Sequence, residues 1–357
     1  MLDDHFPEPE EVEPAYNVRV AINTSNEDYV GTRASEGTQS GKGAENYVLP
    51  GQVTVIFYHG TSSAYSSGKA VSAFRPYKVE VASSDNTSYI LTGAVDVIPS
   101  EKPWRLAVLA NVPDFDYTVL PFGTTSNFQS DTIIVQHTTF SWPEGTLPSR
   151  TNPIPMYGHY GNNQEANKLP QDKNYGYYYD LTGYAPNLIR AVAKIIVRSN
   201  EELGLPSISR CYTTGMAIPK GAYIAEGAFS SISDNTLNIP SETTGKYDNG
   251  VATDVPFSVL NDGLRQTLKY KYNYVLYVPE YRTTGTNADD IPEISFQLNG
   301  VQKSFKFGNY DADGKYTGTR NILRNYIYEY IITPSPYTIK YSVRPWDEEV
   351  AGEITFN

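Results

Sequence analysis

Short alternating runs of apolar and polar residues, closed at each end by Gly, Pro, Asn, Asp or Ser, recur along the whole sequence and leave little room for anything but β-structure. In Val18-Arg19-Val20-Ala21-Ile22 an extended backbone puts Val18, Val20 and Ile22 on one face. Residues 53–58, 77–81, 88–92, 105–111 and 132–135 read the same way. A Tyr-, Pro- and Gly-rich zone then runs from about residue 153 to 186. Beyond it the pattern starts again, with Arg190-Ala191-Val192-Ala193-Lys194-Ile195-Ile196-Val197 matching the first strand region in character, followed by residues 208–212, 270–278 and 294–298. Asn299-Gly300 between two such runs predicts a hairpin. Pro334-Ser335-Pro336 predicts a second turn, between residues 325–332 and 337–343. Helix is limited to a turn or two within residues 256–266. With 357 residues the chain exceeds most single cores. The expectation is therefore all-β, two β-sandwich domains in tandem, 1–187 and 188–357.

The sequence ends in Val350-Ala351-Gly352-Glu353-Ile354-Thr355-Phe356-Asn357, with Val350, Ile354 and Phe356 on one face of an extended segment. A half-apolar terminal strand invites pairing. It either completes its own sheet or reaches to another subunit. At the other end, residues 1–15 are acidic and rich in proline, too polar to fold alone, and read as a tether. Either a solvated leader downstream of a removed export signal or a plain disordered terminus has this composition.

Composition removes several function classes. The net charge of −12 argues against nucleic acid and against adhesion to anionic lipid through charge. No apolar run approaches the ~20 residues of a membrane-crossing helix. Cys211 is the single cysteine, so an internal disulfide and a cysteine zinc site are both ruled out, and its apolar surroundings predict a buried, inert thiol. His5, His59, His137 and His159 are scattered, and His159 reads as a solvated loop residue. The metalloprotease, nucleophile-elbow and phosphate-loop motifs are missing, so no catalytic residues, metal or cofactor are assigned. Asp311-Ala312-Asp313-Gly314 starts like a calcium loop but lacks the distal Glu, and reads as a hairpin turn. The thirty tyrosines favour strands and contact surface, and exposed Tyr or Trp could stack on sugars. For Trp104 and Trp346, at strand edges beside proline, packing against the sandwich end is the simpler account.

Four stretches in order carry a resemblance to a known family. They are Tyr16-Asn17-Val18-Arg19-Val20-Ala21-Ile22 with Gly31-Thr32-Arg33-Ala34-Ser35 and residues 53–58; Trp104-Arg105-Leu106-Ala107-Val108-Leu109-Ala110-Asn111; Ile154-Pro155-Met156-Tyr157-Gly158 followed by residues 188–197; and Ile322-Leu323-Arg324-Asn325-Tyr326-Ile327-Tyr328 leading to Pro345-Trp346. In this the chain resembles the fimbrillin (FimA-like, type V pilin) family of Bacteroidales pilus subunits. The resemblance implies transthyretin-like, Greek-key sandwich domains. It implies export as an outer-membrane lipoprotein, so that membrane contact is through a lipid on the precursor. It also implies cleavage by an arginine-specific protease, for which Arg33-Ala34 is the candidate bond, since Arg19 lies within a strand pattern. Cutting there would free the segment bearing Val18, Val20 and Ile22 and open a groove, and in such a family a neighbour's C-terminal strand fills it, here with Val350, Ile354 and Phe356 as the donor residues. The implied partners are other pilus subunits, the protease, and a host protein or glycan receptor. A structural, non-enzymatic subunit of a cell-surface fimbrium supporting adhesion is the leading expectation. A tip or anchor subunit of the same system, or a surface glycan-binding lipoprotein, are the alternatives.

Overall fold

A computed structural model of the chain describes residues 16–24, 45–60, 68–83, 87–96, 104–113, 115–117, 139–140, 142, 145–161, 171–172, 178–199, 208–216, 222–223, 253–261, 272–280, 291–334 and 337–346. The strands are β1 (Tyr16–Asn23), β2 (Val53–Gly60), β3 (Gly68–Phe74), β4 (Lys78–Val81), β5 (Ser88–Val95), β6 (Trp104–Ala110), β7 (Thr139–Phe140), β8 (Met156–Gly161), β9 (Gln171–Asp172), β10 (Tyr178–Leu181) and β11 (Ile189–Arg190). They continue with β12 (Val192–Ser199), β13 (Ile208–Met216), β14 (Ala222–Tyr223), β15 (Thr253–Pro256), β16 (Ser258–Asn261), β17 (Tyr272–Pro279), β18 (Glu293–Leu298), β19 (Val301–Lys306), β20 (Asn309–Tyr310), β21 (Tyr316–Gly318), β22 (Tyr326–Pro334) and β23 (Tyr337–Pro345). The protein is all-β.

Four larger sheets carry the fold, ordered β4-β5-β1-β10-β9, β11-β8-β6-β2-β3, β16-β17-β12-β22-β23 and β15-β13-β18-β19. The first two enclose one core, in which Val18, Val20 and Ile22 meet Val53, Val55, Phe57, Leu106 and Val108. The last two enclose another, in which Ala193, Ile195 and Val197 meet Ile294, Phe296, Phe305 and Tyr330. These cores form because the alternating runs each have one apolar face, and pairing two sheets hides both faces from water.

β1 and β12 hold equivalent places. Each is the middle strand of five, antiparallel to one neighbour (β5 or β17) and parallel to the other (β10 or β22). They differ in their second face. On β12, Val192 and Ile196 are also buried, against Trp142, Ile154, Tyr277 and Trp346. This accounts for its near-continuous apolar sequence.

Two turn expectations hold. Asn299 and Gly300 have φ of 54° and 77° between β18 and β19, the left-handed pair that an Asn-Gly hairpin requires. Asp311 caps the turn between β20 and β21, its Oδ1 accepting from the amides of Asp313 and Lys315. Where the expected helical turn falls on described residues it is replaced by strand: residues 258–261 pair in register with β17, Ser258 opposite Val275 through Asn261 opposite Tyr272, while residues 262–266 lie outside the described residues. His159 is also no loop residue; it is half-buried within β8, opposite Ala107. Residues 132–135 lie outside the described residues.

Candidate functional site

The candidate site is built on β1 and the chain that leaves it. Val18, Val20 and Ile22 are fully buried, and the strand is paired on both edges, all eight residues with β5 and residues 17–20 with β10. Such a strand is sequestered twice: its apolar face is a wall of the core, and its backbone amides and carbonyls serve two ladders. Arg19 points the other way and lies 3.6 Å from Asp180, with both side chains about a third or more exposed. At the start of β1, Tyr16 meets Tyr179 edge-to-face at 5.7 Å; burial, then the neighbouring Tyr16, raise the Tyr179 pKa.

The outgoing end of β1 is wired to the stretch that precedes β12. The Asn23 amide donates to the Pro186 carbonyl and the Leu188 amide to the Asn23 carbonyl, while Asn23 Nδ2 donates to Asn187 Oδ1. The Thr24 amide donates to the Thr87 carbonyl at 2.7 Å.

Around this end sits a buried polar cluster that joins the two halves of the sequence. Arg190, 1% exposed, donates through Nη2 to the Thr24 carbonyl at 2.9 Å and to Asn46 Oδ1. Through Nε it donates to the Glu45 carbonyl at 3.3 Å, and through Nη1 to Asn325 Oδ1 at 3.1 Å. Its guanidinium lies 4.9 Å from the centre of the Trp346 ring. The Glu45 carboxylate accepts from Lys194 Nζ at 2.9 Å, from the Tyr277 hydroxyl, and from Trp346 Nε1 at 3.3 Å. A buried arginine is tolerable only if its forked donors find acceptors, and here the acceptors come from three separate segments, at Thr24, at Glu45 and Asn46, and at Asn325.

The stretch after Glu45 is held by Asn111, at the end of β6. Asn111 Oδ1 accepts from the Leu49 amide at 2.8 Å, and Nδ2 donates to the carbonyls of Tyr47 at 2.8 Å and Ile154 at 2.7 Å. Its φ of 63° is one that Asn adopts more readily than other side-chain-bearing residues.

The structure thus places Val18, Val20 and Ile22 in the core, while Arg33, Ala34, Val350, Ile354 and Phe356 lie outside the described residues. The ends of the chain flanking Arg33-Ala34, at Thr24 and Glu45, are brought together on Arg190. Trp346, the last described residue, stands on the same cluster. It is 7% exposed, packed against Tyr277 at 5.8 Å, and is not presented for stacking on a sugar. The cluster was not foreseen from the sequence. Its one signal was the pair of cations, Arg190 and Lys194, within an otherwise apolar run. Cys211 is a buried free thiol, and burial pushes its pKa well above the ordinary value.

No protein-family model matches the sequence, and no curated protein sequence matches it. Among solved structures, the chain is similar to the tip fimbrial protein Mfa3 of Porphyromonas gingivalis with a C-terminal truncation, at 14% identity and a TM-score of 0.53, over 93% of this chain and 100% of that one. A fimbrial assembly protein of Parabacteroides distasonis aligns at 14% identity and a TM-score of 0.44, over 94% of this chain and 98% of that one. The likeness to Mfa3 shows that the two chains share a fold.

Proposed function

We propose that the chain is a structural, non-enzymatic subunit of a cell-surface fimbrium, joined to its neighbours by exchange of a β-strand after proteolysis. The fold shared with a fimbrial protein supports the first part. The second part is carried by the position of β1: it is a middle strand, and its three apolar side chains are wholly buried. Removing it would expose the edges of β5 and β10 and a strip of core. A replacement strand running in the β1 direction would restore both ladders and the core face together. In this reading the protein divides near residue 187 into two sandwich domains, and an arginine-specific protease cuts between Arg33 and Ala34, in the segment between Thr24 and Glu45.

The tail that follows Trp346 is the proposed donor. Val350, Ile354 and Phe356 would each contribute about 1.5–3 kcal/mol on full burial. Ordering costs about 1–2 kcal/mol per residue and offsets much of this, so the polymer owes its persistence to slow unzipping as well as to affinity. A head-to-tail contact of this type does not close on itself and builds a filament. The precursor would reach the surface as a lipid-anchored outer-membrane protein, and the assembled fimbrium would engage a host protein or glycan.

The test is incubation of purified protein with a trypsin-like protease. The expected product begins at Ala34 and then forms oligomers; deletion of residues 347–357 abolishes them. Oligomers that persist without the tail would overturn the donor assignment.

A second reading, a tip subunit, draws on the likeness to a tip fimbrial protein. A tip accepts a strand and donates none. The cut chain would then accept a strand supplied by another subunit at the same rate with or without residues 347–357, and would form no polymers of its own.

A further inference from the structure

We propose that Arg190 is a latch that keeps β1 seated once the chain has been cut between Thr24 and Glu45, with Trp346 registering the strand's departure. The inference rests on the strand-exchange reading and deepens it. While residues 25–44 are continuous, β1 is tethered covalently to Glu45. A cut leaves only non-covalent contacts, and one guanidinium then holds both new flanks: the Thr24 carbonyl on the departing side and the Glu45 carbonyl on the retained side.

A strand leaves a sheet from an end. At the Thr24 end, the first contact to break includes a charge-assisted hydrogen bond at 2.9 Å to a 1%-exposed arginine. Breaking it leaves a buried cationic donor with one acceptor fewer, and this raises the barrier to unzipping well beyond that of an ordinary ladder bond. Arg190 is fixed for this task from three other directions: Asn325 Oδ1 accepts from both its Nη1 and its backbone amide, Asn46 Oδ1 accepts from Nη2, and the Trp346 ring lies against its plane. Trp346 also donates to Glu45 Oε2, and its amide donates to the Asn325 carbonyl. The root of the C-terminal tail and the end of β1 therefore share partners. When Thr24 departs, the guanidinium re-aims, and the indole stacked on it changes surroundings.

The experiment uses the full chain with a site-specific protease sequence inserted between Arg33 and Ala34. After cutting, loss of the N-terminal fragment that carries β1 is followed by mass spectrometry in the presence of excess synthetic peptide spanning residues 14–24. In parallel, the three tryptophans are labelled with 5-fluorotryptophan and followed by fluorine NMR. Arg190→Lys, which keeps the charge but loses the fork, is expected to speed fragment loss about tenfold or more. Arg19→Ala, on the exposed face of the same strand, should change it by less than about twofold. The Trp346 resonance should move in step with fragment loss. In the uncut Arg190→Lys protein, hydrogen exchange should accelerate at residues 16–24 and 45–49 while β17 and β22 keep their rates. Should Arg190→Lys fail to fold, Asn325→Gly, which keeps the φ of 56° and removes the acceptor that aims Nη1, must show the same selective acceleration.

Wild-type release rates in these variants, an unmoved Trp346 resonance after the fragment has gone, or a uniform rise in exchange across β17 and β22 would each overturn the latch. Fragment loss that obeys the latch without any oligomer would instead count against strand exchange alone.

Discussion

Lys194 donates to Glu45 across 149 residues of sequence, in an ion pair of 2.9 Å with side chains only 3% and 10% exposed. The carboxylate has two further donors, Tyr277 and Trp346. Removing the lysine leaves a buried anion held by neutral groups alone, and the cost of such a step is about 3–5 kcal/mol. Lys194→Met is therefore expected to lower the urea midpoint sharply. Combining it with Glu45→Gln should cost less than the sum of the single changes, since the second removes the stranded charge. A double-mutant cycle measures this; strict additivity would mean that the pair is not coupled.

Asn111 combines a left-handed backbone with three side-chain hydrogen bonds, and substitutions separate the two. Asn111→Gly keeps the backbone and loses the bonds, for a loss of about 1–3 kcal/mol. Asn111→Ala adds the left-handed penalty, about 1–2 kcal/mol more. Asn111→Asp keeps the acceptor for Leu49 but turns an oxygen toward two carbonyls, and should be worse than Asn111→Gly. Thermal unfolding of the three variants ranks them; equal losses for Gly and Ala would remove the backbone contribution.

Much of the architecture was legible because it is written in local alternation. Val18, Val20 and Ile22, or Ile294 and Phe296, announce a buried face without reference to any partner, and Asn299-Gly300 announces its own turn. What escaped was whatever a distant partner supplies. β10 hides in the Tyr-rich zone because its order comes from parallel pairing with β1, more than 150 residues earlier in sequence. Residues 258–261 gave an ambiguous pattern that the edge of β17 resolves into strand. The Arg190 cluster is drawn from positions 24, 45, 194, 277, 325 and 346, and single-sequence periodicity carries no signal for such a meeting.

Two glycines are set by close approach rather than by φ, and they differ in what approaches. A Cβ on Gly158 would lie 2.4 Å from the Asn187 carbonyl oxygen and 2.7 Å from Leu188 Cδ2; a Cβ on Gly93 would lie 2.0 Å from the Phe74 ring. Overpacking of this kind costs about 1–3 kcal/mol. For Gly93→Ala the obstacle is a side chain, so Phe74→Leu should recover part of the loss. For Gly158→Ala the Leu188 side chain is only one obstacle and the nearer one is the Asn187 backbone, so Leu188→Ala should leave most of the loss in place. Since Asn187 Oδ1 accepts from Asn23, the Gly158→Ala protein should also show faster hydrogen exchange at the end of β1. Full rescue of Gly158→Ala by Leu188→Ala would contradict the geometry.

The second core predicts an alkaline limit to stability. Tyr328 and Tyr330 are fully buried, and desolvation raises both pKa values well above the ordinary 10.0. At Tyr328 the Leu323 amide, donating to the hydroxyl at 2.7 Å, partly opposes this. Tyr341, packed on Tyr330 at 4.9 Å, is raised by desolvation as well. The folded protein thus keeps these protons where the unfolded chain gives them up. Above about pH 10 the unfolded state binds fewer protons than the native state, so unfolding free energy falls as pH rises; below that value this contribution to stability is fully present. In an alkaline titration the part of the tyrosinate absorbance that belongs to these buried groups should appear only as the circular dichroism of the sheets is lost. Tyr328→Phe and Tyr330→Phe should each destabilise the protein at neutral pH, by losing the hydroxyl's hydrogen bonds to Asn321 and Gly308, yet flatten the alkaline fall. Complete ionisation of all tyrosines before any loss of β-structure would show that the buried hydroxyls do not set this limit.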